Sequence, residues 1–208
     1  FNAIGNITNK SDVGNYSYGA GSAGPHAVTS AGGQIYVYDA NGNNTSGDGR
    51  TISYTSFDKP DEIIKGSHKV EFEYGPDRSR YRRTDTNSSN GRVTDTLYIG
   101  SVEKITNPDG SKEWKRTIGN LVIKQAFNSG GTQTAKTEHY LLKDHLGSPS
   151  LIMDKIAQVQ QTMDFDPWGA RRSTNWAAMS STELTNTFFK NHSISNSVGT
   201  TALTSRGF

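Results

Sequence analysis

Several aspartates are close enough in the sequence to suggest acid–base chemistry. Asp144 and Asp154 form one candidate pair, and Asp164 and Asp166 form a second. Two carboxylates with different pKa values are what glycosidases and aspartic proteases use. Because Asp166 precedes Pro167, where a turn begins, the alternative is that these aspartates accept hydrogen bonds from backbone amides of turns. We expect the second role.

Two histidines, His139 and His145, are six residues apart and are candidate metal ligands. Neither a third histidine nor a carboxylate accompanies them at the spacing of a zinc site, and the chain has no cysteine. We therefore expect no metal and no cofactor. In the predicted turn, His145 is expected to tie the hairpin to the adjacent strand.

The cluster of Arg78, Arg80, Arg82 and Arg83 could bind a phosphate or a sugar acid. Regular strand alternation would place the first three on one face, opposite Tyr81 and Arg83. The alternative is that these arginines pair with acidic residues of neighbouring strands, because charged strand faces are usually solvated or paired. We favour pairing.

Aromatic residues are spread along the chain and could form a platform on which sugars stack. A packing ladder between successive repeats explains them more simply. The residues are Tyr36, Tyr38, Tyr54, Tyr98, Trp114 and Trp168, of which Trp168 is expected to plug the end of one hairpin.

The stretch from Glu138 to Arg172 holds several of these residues between short predicted strands. Strands are predicted at Tyr140 to Leu142, Ser150 to Met153 and Val159 to Phe165. The turns between and after them are Lys143 to Gly147 and Asp166 to Gly169, which carry the Asp, Pro and Gly typical of turns.

The same short pattern, an aromatic, then Asp or Asn, then two residues and Gly, recurs along the chain. In each unit the aromatic closes a strand, the Asp or Asn starts a turn and Gly supplies a positive φ. Such hairpins are stable only with neighbours. The units are Phe1 to Gly5, Tyr38 to Gly42, Phe127 to Gly131 and Phe165 to Gly169, with a degenerate fifth at Phe57 to Asp61.

Further strands are predicted by period-two alternation at Lys69 to Tyr74, and also at Val93 to Ile99 and Leu121 to Phe127. A turn is predicted at Asn107 to Gly110. The stretches Ser17 to Gly33 and Asn43 to Arg50 are predicted loops. One short helix is predicted at about 181–190 from a capping pattern, before a polar tail from Ser193 to Phe208.

Composition excludes some classes of function. Of the 208 residues only 32% are hydrophobic and 22 are glycine, which leaves less core than a compact enzyme of this length usually has. The net charge of +2 is too low for a typical nucleic-acid binder. No run of residues has the length and hydrophobicity of a membrane span.

Three elements together resemble the RHS, or YD-repeat, proteins of bacteria, and specifically their RHS-repeat-associated core. The first is the unit containing Tyr38, Asp39, Gly42, Asn43 and Thr45. The second is the run Tyr74, Gly75, Pro76, Asp77, Arg78, Arg80 and Tyr81. The third and most specific joins Tyr140, Leu141, Asp144, His145, Leu146, Gly147 and Ser148 to Phe165, Asp166, Pro167, Trp168, Gly169 and Arg171.

The resemblance implies an all-β fold, in which antiparallel hairpins form a curved or spiralling strip of sheet in the wall of a hollow shell. It divides the chain into repeats (1–137) and an associated core segment (138–208). In that family the shell encloses a C-terminal toxin domain of the same polypeptide and assembles with other shell or delivery chains. The protein would be secreted or at the cell surface, delivered by a toxin complex or secretion system, with no nucleic-acid partner.

The family's self-cleavage motif, DPxGL, is not matched, because Ala170 follows the DPxG of Asp166 to Gly169. We therefore expect no catalytic residue within this span and place self-cleavage downstream. Two alternatives stay open: a cell-surface adhesin that binds carbohydrate or protein through its repeats, and part of a self-cleaving aspartyl protease.

Overall fold

A computed structural model describes residues 1–165 and 171–172 of the chain. Every regular element in these ranges is a β-strand, which confirms the all-β prediction. The part of the chain that the structure describes contains no helix long and apolar enough to cross a membrane. The helix predicted at 181–190 and the polar tail lie outside the described residues.

The chain divides into two compact units, Phe1–Lys112 and Glu113–Phe208. The first unit opens with a four-stranded antiparallel sheet whose strands are neighbours in chain order. These strands are β1 (Asn9–Lys10), β2 (Gly14–Tyr18), β3 (Val28–Ala31) and β4 (Gln34–Ile35).

The rest of the first unit is a run of antiparallel strands in which each strand pairs with the next along the chain. No crossover connection is therefore needed, and every connection is a hairpin. The strands are β5 (Val37–Tyr38), β6 (Asn44–Gly47), β7 (Arg50–Tyr54), β8 (Pro60–Lys65), β9 (His68–Tyr74), β10 (Arg80–Asn87), β11 (Arg92–Ile99) and β12 (Val102–Thr106).

The second unit repeats this sequential arrangement, with β13 beginning at the last residue of the first unit. A short two-stranded ribbon follows the main run. The strands of the run are β13 (Lys112–Ile118), β14 (Leu121–Phe127), β15 (Gln133–Lys143), β16 (Pro149–Asp154) and β17 (Val159–Thr162), and the ribbon consists of β18 (Asp164–Phe165) and β19 (Arg171–Arg172).

The strands predicted from period-two alternation are confirmed. The predicted strand Leu121 to Phe127 is β14, and the predicted strand Lys69 to Tyr74 lies within β9. The run predicted from Val159 to Phe165 is split at Met163 into β17 and β18. The alternation predicts these strands correctly because every second side chain lies on the same face of the sheet and packs against side chains of the neighbouring strands.

Two of the predicted loops contain strands, so those predictions are wrong in part. The stretch Asn43 to Arg50 contains β6, and Ser17 to Gly33 contains β3. Each strand contains one Thr, a good strand former, but the Asn, Ala and Gly beside it are depleted in strands, and neither strand shows an alternation of apolar and polar residues. They are ordered by the ladders on either side of them, since β6 pairs with β5 and β7, and β3 pairs with β2 and β4.

The described residues contain few buried apolar side chains, and none of them is completely removed from solvent. In the first unit the buried apolar residues are Ala31 and Ile105. In the second unit a small cluster forms around Leu141 and Ile152, which lie opposite each other on β15 and β16. A sheet with so little buried on it depends largely on its hairpin ladders and turns for order. The cluster consists of Val122, Leu141, Ile152 and Met163, with Phe165 packed against it.

Candidate functional site

The loop 39–43 has the geometry that defines the repeat. The backbone N–H of Asp39 donates to the carbonyl of Asn43 at 3.0 Å, and the N–H of Gly42 donates back to the carbonyl of Asp39 at 3.1 Å. The Asp39 carboxylate accepts the N–H groups of Asn41 and Asn43 at 2.9 and 2.8 Å. The side-chain amide of Asn43 also donates to this carboxylate, at 3.0 Å. The side-chain bond first, and then the backbone bonds, lower the pKa of Asp39. The acid of the repeat therefore fixes its loop.

This geometry recurs in every loop of the same length in the described chain, and we call these the repeat loops. In each, the first N–H donates to the fifth carbonyl and the fourth N–H donates to the first carbonyl. The fourth residue always has a positive φ, between 59° and 89°. The repeat loops are 2–6, 39–43, 55–59, 75–79, 107–111, 128–132, 144–148 and 154–158.

The fourth position of a repeat loop favours glycine because L-residues pay about 1–2 kcal/mol in the left-handed region. Three loops nevertheless place another residue there: Asp58, Arg78 and Ala157, at φ values of 60°, 59° and 63°. The degenerate unit predicted at Phe57 to Asp61 is therefore misplaced. The loop there is 55–59, with Tyr54 as its aromatic and Asp58 in the glycine position.

The tyrosines that precede the loops join one hairpin to the previous one. The Tyr54 hydroxyl donates to the carbonyl of Asn44, the residue that follows loop 39–43, at 2.9 Å. The Tyr74 hydroxyl donates to the carbonyl of Pro60, which follows loop 55–59, at 2.7 Å. Tyr38 donates in the same way to the carbonyl of Val28 at 2.8 Å. The aromatic of the unit is therefore a polar link as well as a packing residue.

Burial is the first cause that raises the pKa of Tyr38, Tyr54 and Tyr74. Their hydroxyls therefore remain protonated donors over the whole neutral range. The hydroxyls of Tyr38 and Tyr54 each bind a backbone carbonyl of an earlier strand, so each ring lies between successive hairpins. This position agrees with the packing role predicted for them.

Tyr36 has a different role. A Cβ atom added to Gly47 would lie 2.2 Å from Cδ1 of the Tyr36 ring, so the ring rests directly against the backbone of β6. No side chain fits between them. Sequence reasoning missed this contact, because a glycine in a strand signals a close approach without identifying its partner.

The hairpin between β15 and β16 carries the most specific part of the sequence resemblance. The Asp144 carboxylate accepts the N–H groups of Leu146 and Ser148, both at 2.9 Å. Its pKa is lowered chiefly by the Ser148 amide. His145 was expected to tie this hairpin down, but its side chain is exposed, and the hydrogen bonds described for the loop come from Asp144 instead. Leu146 at the tip is 79% exposed.

This hairpin extends past the strand that precedes it. Pairing between β14 and β15 ends at Leu121 and Tyr140, whereas β15 continues to Lys143 and pairs there with β16. The loop 144–148 is consequently carried beyond the end of β14. The backbone hydrogen bonds between Asp144 and Ser148 close the base of this loop, and Leu146 is exposed at its tip.

The predicted second turn, Asp166, Pro167, Trp168 and Gly169, lies outside the described residues. On either side of it, Phe165 pairs with Arg171 and Asp164 with Arg172. The prediction that Trp168 plugs a hairpin therefore stays a prediction, as does any role of Asp166 in cleavage.

The pairs Asp144 with Asp154 and His139 with His145 are not brought together, and the pair of Asp164 with Asp166 cannot be placed because Asp166 lies outside the described residues. Asp144 directly follows β15 and Asp154 is the last residue of β16, and each uses its Oδ1 to hold its own repeat loop. His139 lies opposite Asp154 on the ladder, while His145 is in the loop beyond the strand. No cluster of three potential ligands occurs among residues 1–165 and 171–172.

The arginine cluster is arranged differently from the prediction. Arg78 is in repeat loop 75–79, and a β-bulge lies between Arg80 and Arg82. A bulge changes which side chains share a face. Arg80 therefore lies beside Phe72, which is opposite Arg83 on the ladder, while Arg82 lies on the other face with Glu73. Placing Arg80 and Arg82 together was wrong.

The expected pairing with acidic residues of neighbouring strands is confirmed for Arg82, whereas Arg83 pairs with an acidic residue of its own strand, β10. Arg82 binds Asp95 at 2.6 Å and Glu73 at 3.2 Å, and Arg83 binds Asp85 at 2.5 Å. On the face that Arg82 shares, Lys69 binds Glu71 at 2.9 Å and lies 3.7 Å from Glu62. We call this the ionic face of the first unit; it consists of Glu62, Lys69, Glu71, Glu73, Arg82 and Asp95.

Solved structures share the fold of this chain. A chain in the structure of a Photorhabdus luminescens Tc holotoxin pore with a mutated TccC3 matches with a TM-score of 0.59 and 14% identity, over 82% of this chain and 10% of that chain. A chain in the crystal structure of TcdB2-TccC3 matches with a TM-score of 0.58 and 15% identity, over 81% of this chain and 10% of that chain. This chain spans about a tenth of their length. No family model and no curated protein matches the sequence.

Proposed function

We propose that this chain is a wall segment of a bacterial RHS-repeat shell that encloses a C-terminal toxic cargo domain of the same polypeptide. The observation that carries the proposal is a sheet whose strands follow chain order, with repeat loops of one geometry at many of its connections and little buried on either face. Such a sheet grows by adding hairpins and does not close around its own centre. That is what a wall requires.

The chemistry of the described residues supports enclosure over catalysis. Asp144 and Asp154 hold their own loops, and the carboxylates of the ionic face are engaged with Lys69 and Arg82. The fold shared with the Tc toxin structures supports a shell and a delivery complex as the setting, and hence a secreted protein. The division into repeats (1–137) and associated core (138–208) is part of this proposal.

The test is protease protection of the complete gene product that carries this chain. Native protein is treated with a non-specific protease, and the cargo region is followed by mass spectrometry. Enclosure predicts that the cargo survives while the wall is intact and is degraded once urea opens the wall. Electron microscopy of the same sample should show hollow particles.

Degradation of the cargo region at the same rate with and without urea would contradict the proposal. So would particles in which this chain forms an isolated domain. The matched control is the cargo domain expressed alone, which must be degraded rapidly, because otherwise its survival would reflect its own stability.

A further inference from the structure

One face of the first unit combines arginines with aromatic rings. The Arg80 guanidinium lies over the rings of Phe72 and Tyr98, with its carbon 5.0 and 4.9 Å from their centroids. Nearby, Arg78 lies over the ring of Phe57 at 5.4 Å. We call this surface the arginine–aromatic face; it consists of Phe57, Phe72, Tyr74, Arg78, Arg80 and Tyr98.

The two arginines of this face carry positive charge that no ion pair neutralises within the described residues. Neither Arg78 nor Arg80 forms an ion pair there, although Arg82 and Arg83 do. The neighbouring Tyr98 stays neutral, because burial raises its pKa. Glu103 and Asp85 both act on Tyr98, and Asp85 is bound by Arg83. Only neutral rings therefore surround the Arg80 guanidinium on its flat side.

The opposite face of the same strands shows that pairing is available in this sheet. On the ionic face Lys69 and Arg82 each contact two carboxylates. On the arginine–aromatic side of these strands Arg83 is paired with Asp85, but Arg78 and Arg80 contact rings, so the two faces of the sheet differ in their electrostatics. The arginine–aromatic face attracts anions, whereas the ionic face, which has two carboxylates for each cation, carries a net negative charge.

The form of the face indicates the kind of anion. A guanidinium that stacks on rings keeps its edge N–H donors free, and that planar fork matches a carboxylate. The rings beside it offer apolar contact to a neighbouring side chain. Two charges are too few for a nucleic-acid backbone, which needs many phosphate contacts, and the net charge of the chain is only +2. An extended acidic peptide fits both features.

We propose that the arginine–aromatic face binds carboxylate-bearing segments of extended polypeptide, and that in the intact protein these segments belong to the enclosed cargo. The second clause rests on the proposed function; the first does not. Binding through a few guanidinium–carboxylate contacts is weak at each site, so an unfolded chain is held without being given a fixed structure.

The test uses the 208-residue chain and a fluorescently labelled, unstructured peptide in which aspartate alternates with phenylalanine. Binding is followed by fluorescence anisotropy at low salt. Arg80→Gln is expected to weaken binding about tenfold, the usual effect of losing one charge-assisted contact. The matched control is Arg82→Gln, which removes an arginine of the ionic face and should change binding by less than about twofold. Thermal unfolding reports whether each variant is folded.

If Arg80→Gln does not fold, Arg78→Gln carries the test, since Arg78 is in an exposed loop, and about a threefold to tenfold loss is expected there. Equal losses for Arg80→Gln and Arg82→Gln would overturn the proposal. So would equal binding of a peptide with lysine in place of aspartate, or tighter binding of oligothymidine than of the acidic peptide. Protected cargo combined with no peptide binding would reject this inference alone, whereas peptide binding combined with unprotected cargo would reject the shell.

Discussion

Two adjacent glycines in loop 128–132 allow a direct test of the repeat-loop geometry. Gly131 occupies the fourth position with a φ of 84°, and no atom lies within 4 Å of a Cβ added to it. Gly130 does not have a positive φ, and an added Cβ would meet Oδ1 of Asn128 at 3.5 Å, an ordinary contact. Replacement of either glycine by alanine therefore adds the same atoms without a clash, and only the backbone conformation differs.

The expected effects have opposite signs. Gly131→Ala forces alanine into the left-handed region and should reduce the free energy of unfolding by about 1–2 kcal/mol. Gly130→Ala lowers the entropy of the unfolded chain and should increase the free energy of unfolding by about 0.4–1 kcal/mol. The difference between the variants is about 1.5–3 kcal/mol, which corresponds to roughly 3–12 °C in melting temperature for a chain of this size.

The assay is thermal unfolding of both variants and the wild type, monitored by far-ultraviolet circular dichroism and repeated in urea. Unequal slopes in urea would indicate that a variant changes the unfolded state, so the comparison uses midpoints at equal slope. If the two variants melt at the same temperature, or if Gly131→Ala is the more stable of the two, positive φ does not limit the fourth position and the account of the repeat loop fails.

Three further predictions concern single side chains. Tyr74→Phe removes the hydroxyl that binds the Pro60 carbonyl and should cost about 1 kcal/mol in urea unfolding; an unchanged midpoint would show that the link between hairpins contributes nothing. Asp144→Asn should leave the fold intact at neutral pH, since Asn2 and Asn128 hold the same position elsewhere. Because the pKa of Asp144 is lowered in the folded chain, the wild type loses stability as the pH falls through that pKa. Asp144→Asn should therefore lose less free energy of unfolding on acidification to about pH 2. An identical acid profile for the two proteins would refute this prediction. Burial, and then the charge of Lys124, lower the pKa of His139 below 6.5, so the unfolded chain binds the proton first and stability should fall as the pH drops below about 6.5. His139→Leu should flatten that part of the stability profile. An unaltered slope would count against this account.

Much of the fold could be predicted from the sequence because its information is local. Period-two alternation identifies β9 and β14, and Asp or Asn followed by Gly identifies loops such as 39–43 and 107–111. These signals work since a turn is decided by the φ preference and side-chain hydrogen bonds of its own residues. The repeat was therefore visible before any strand pairing was known.

The candidate site was harder to predict, because it depends on which face each side chain occupies. The bulge after Arg80 separates Arg80 from Arg82, which strict alternation had placed together. A bulge is fixed by pairing with both neighbouring strands, and nothing in the local run of arginines marks it. The distinction between an ionic face and an arginine–aromatic face could not have been reached without the register.

By itself, the sequence determined that this chain is β-structure built from repeated hairpins, because the turn chemistry and the alternation are written into adjacent residues. Tertiary structure decided where the repeat departs from its own pattern. Asp58, Arg78 and Ala157 adopt the glycine conformation because the hydrogen bonds of a repeat loop and the paired strands beside it stabilise a backbone that their own preferences disfavour. Such positions are set by the hydrogen bonds of the whole hairpin, which the conformational preference of the single residue does not encode.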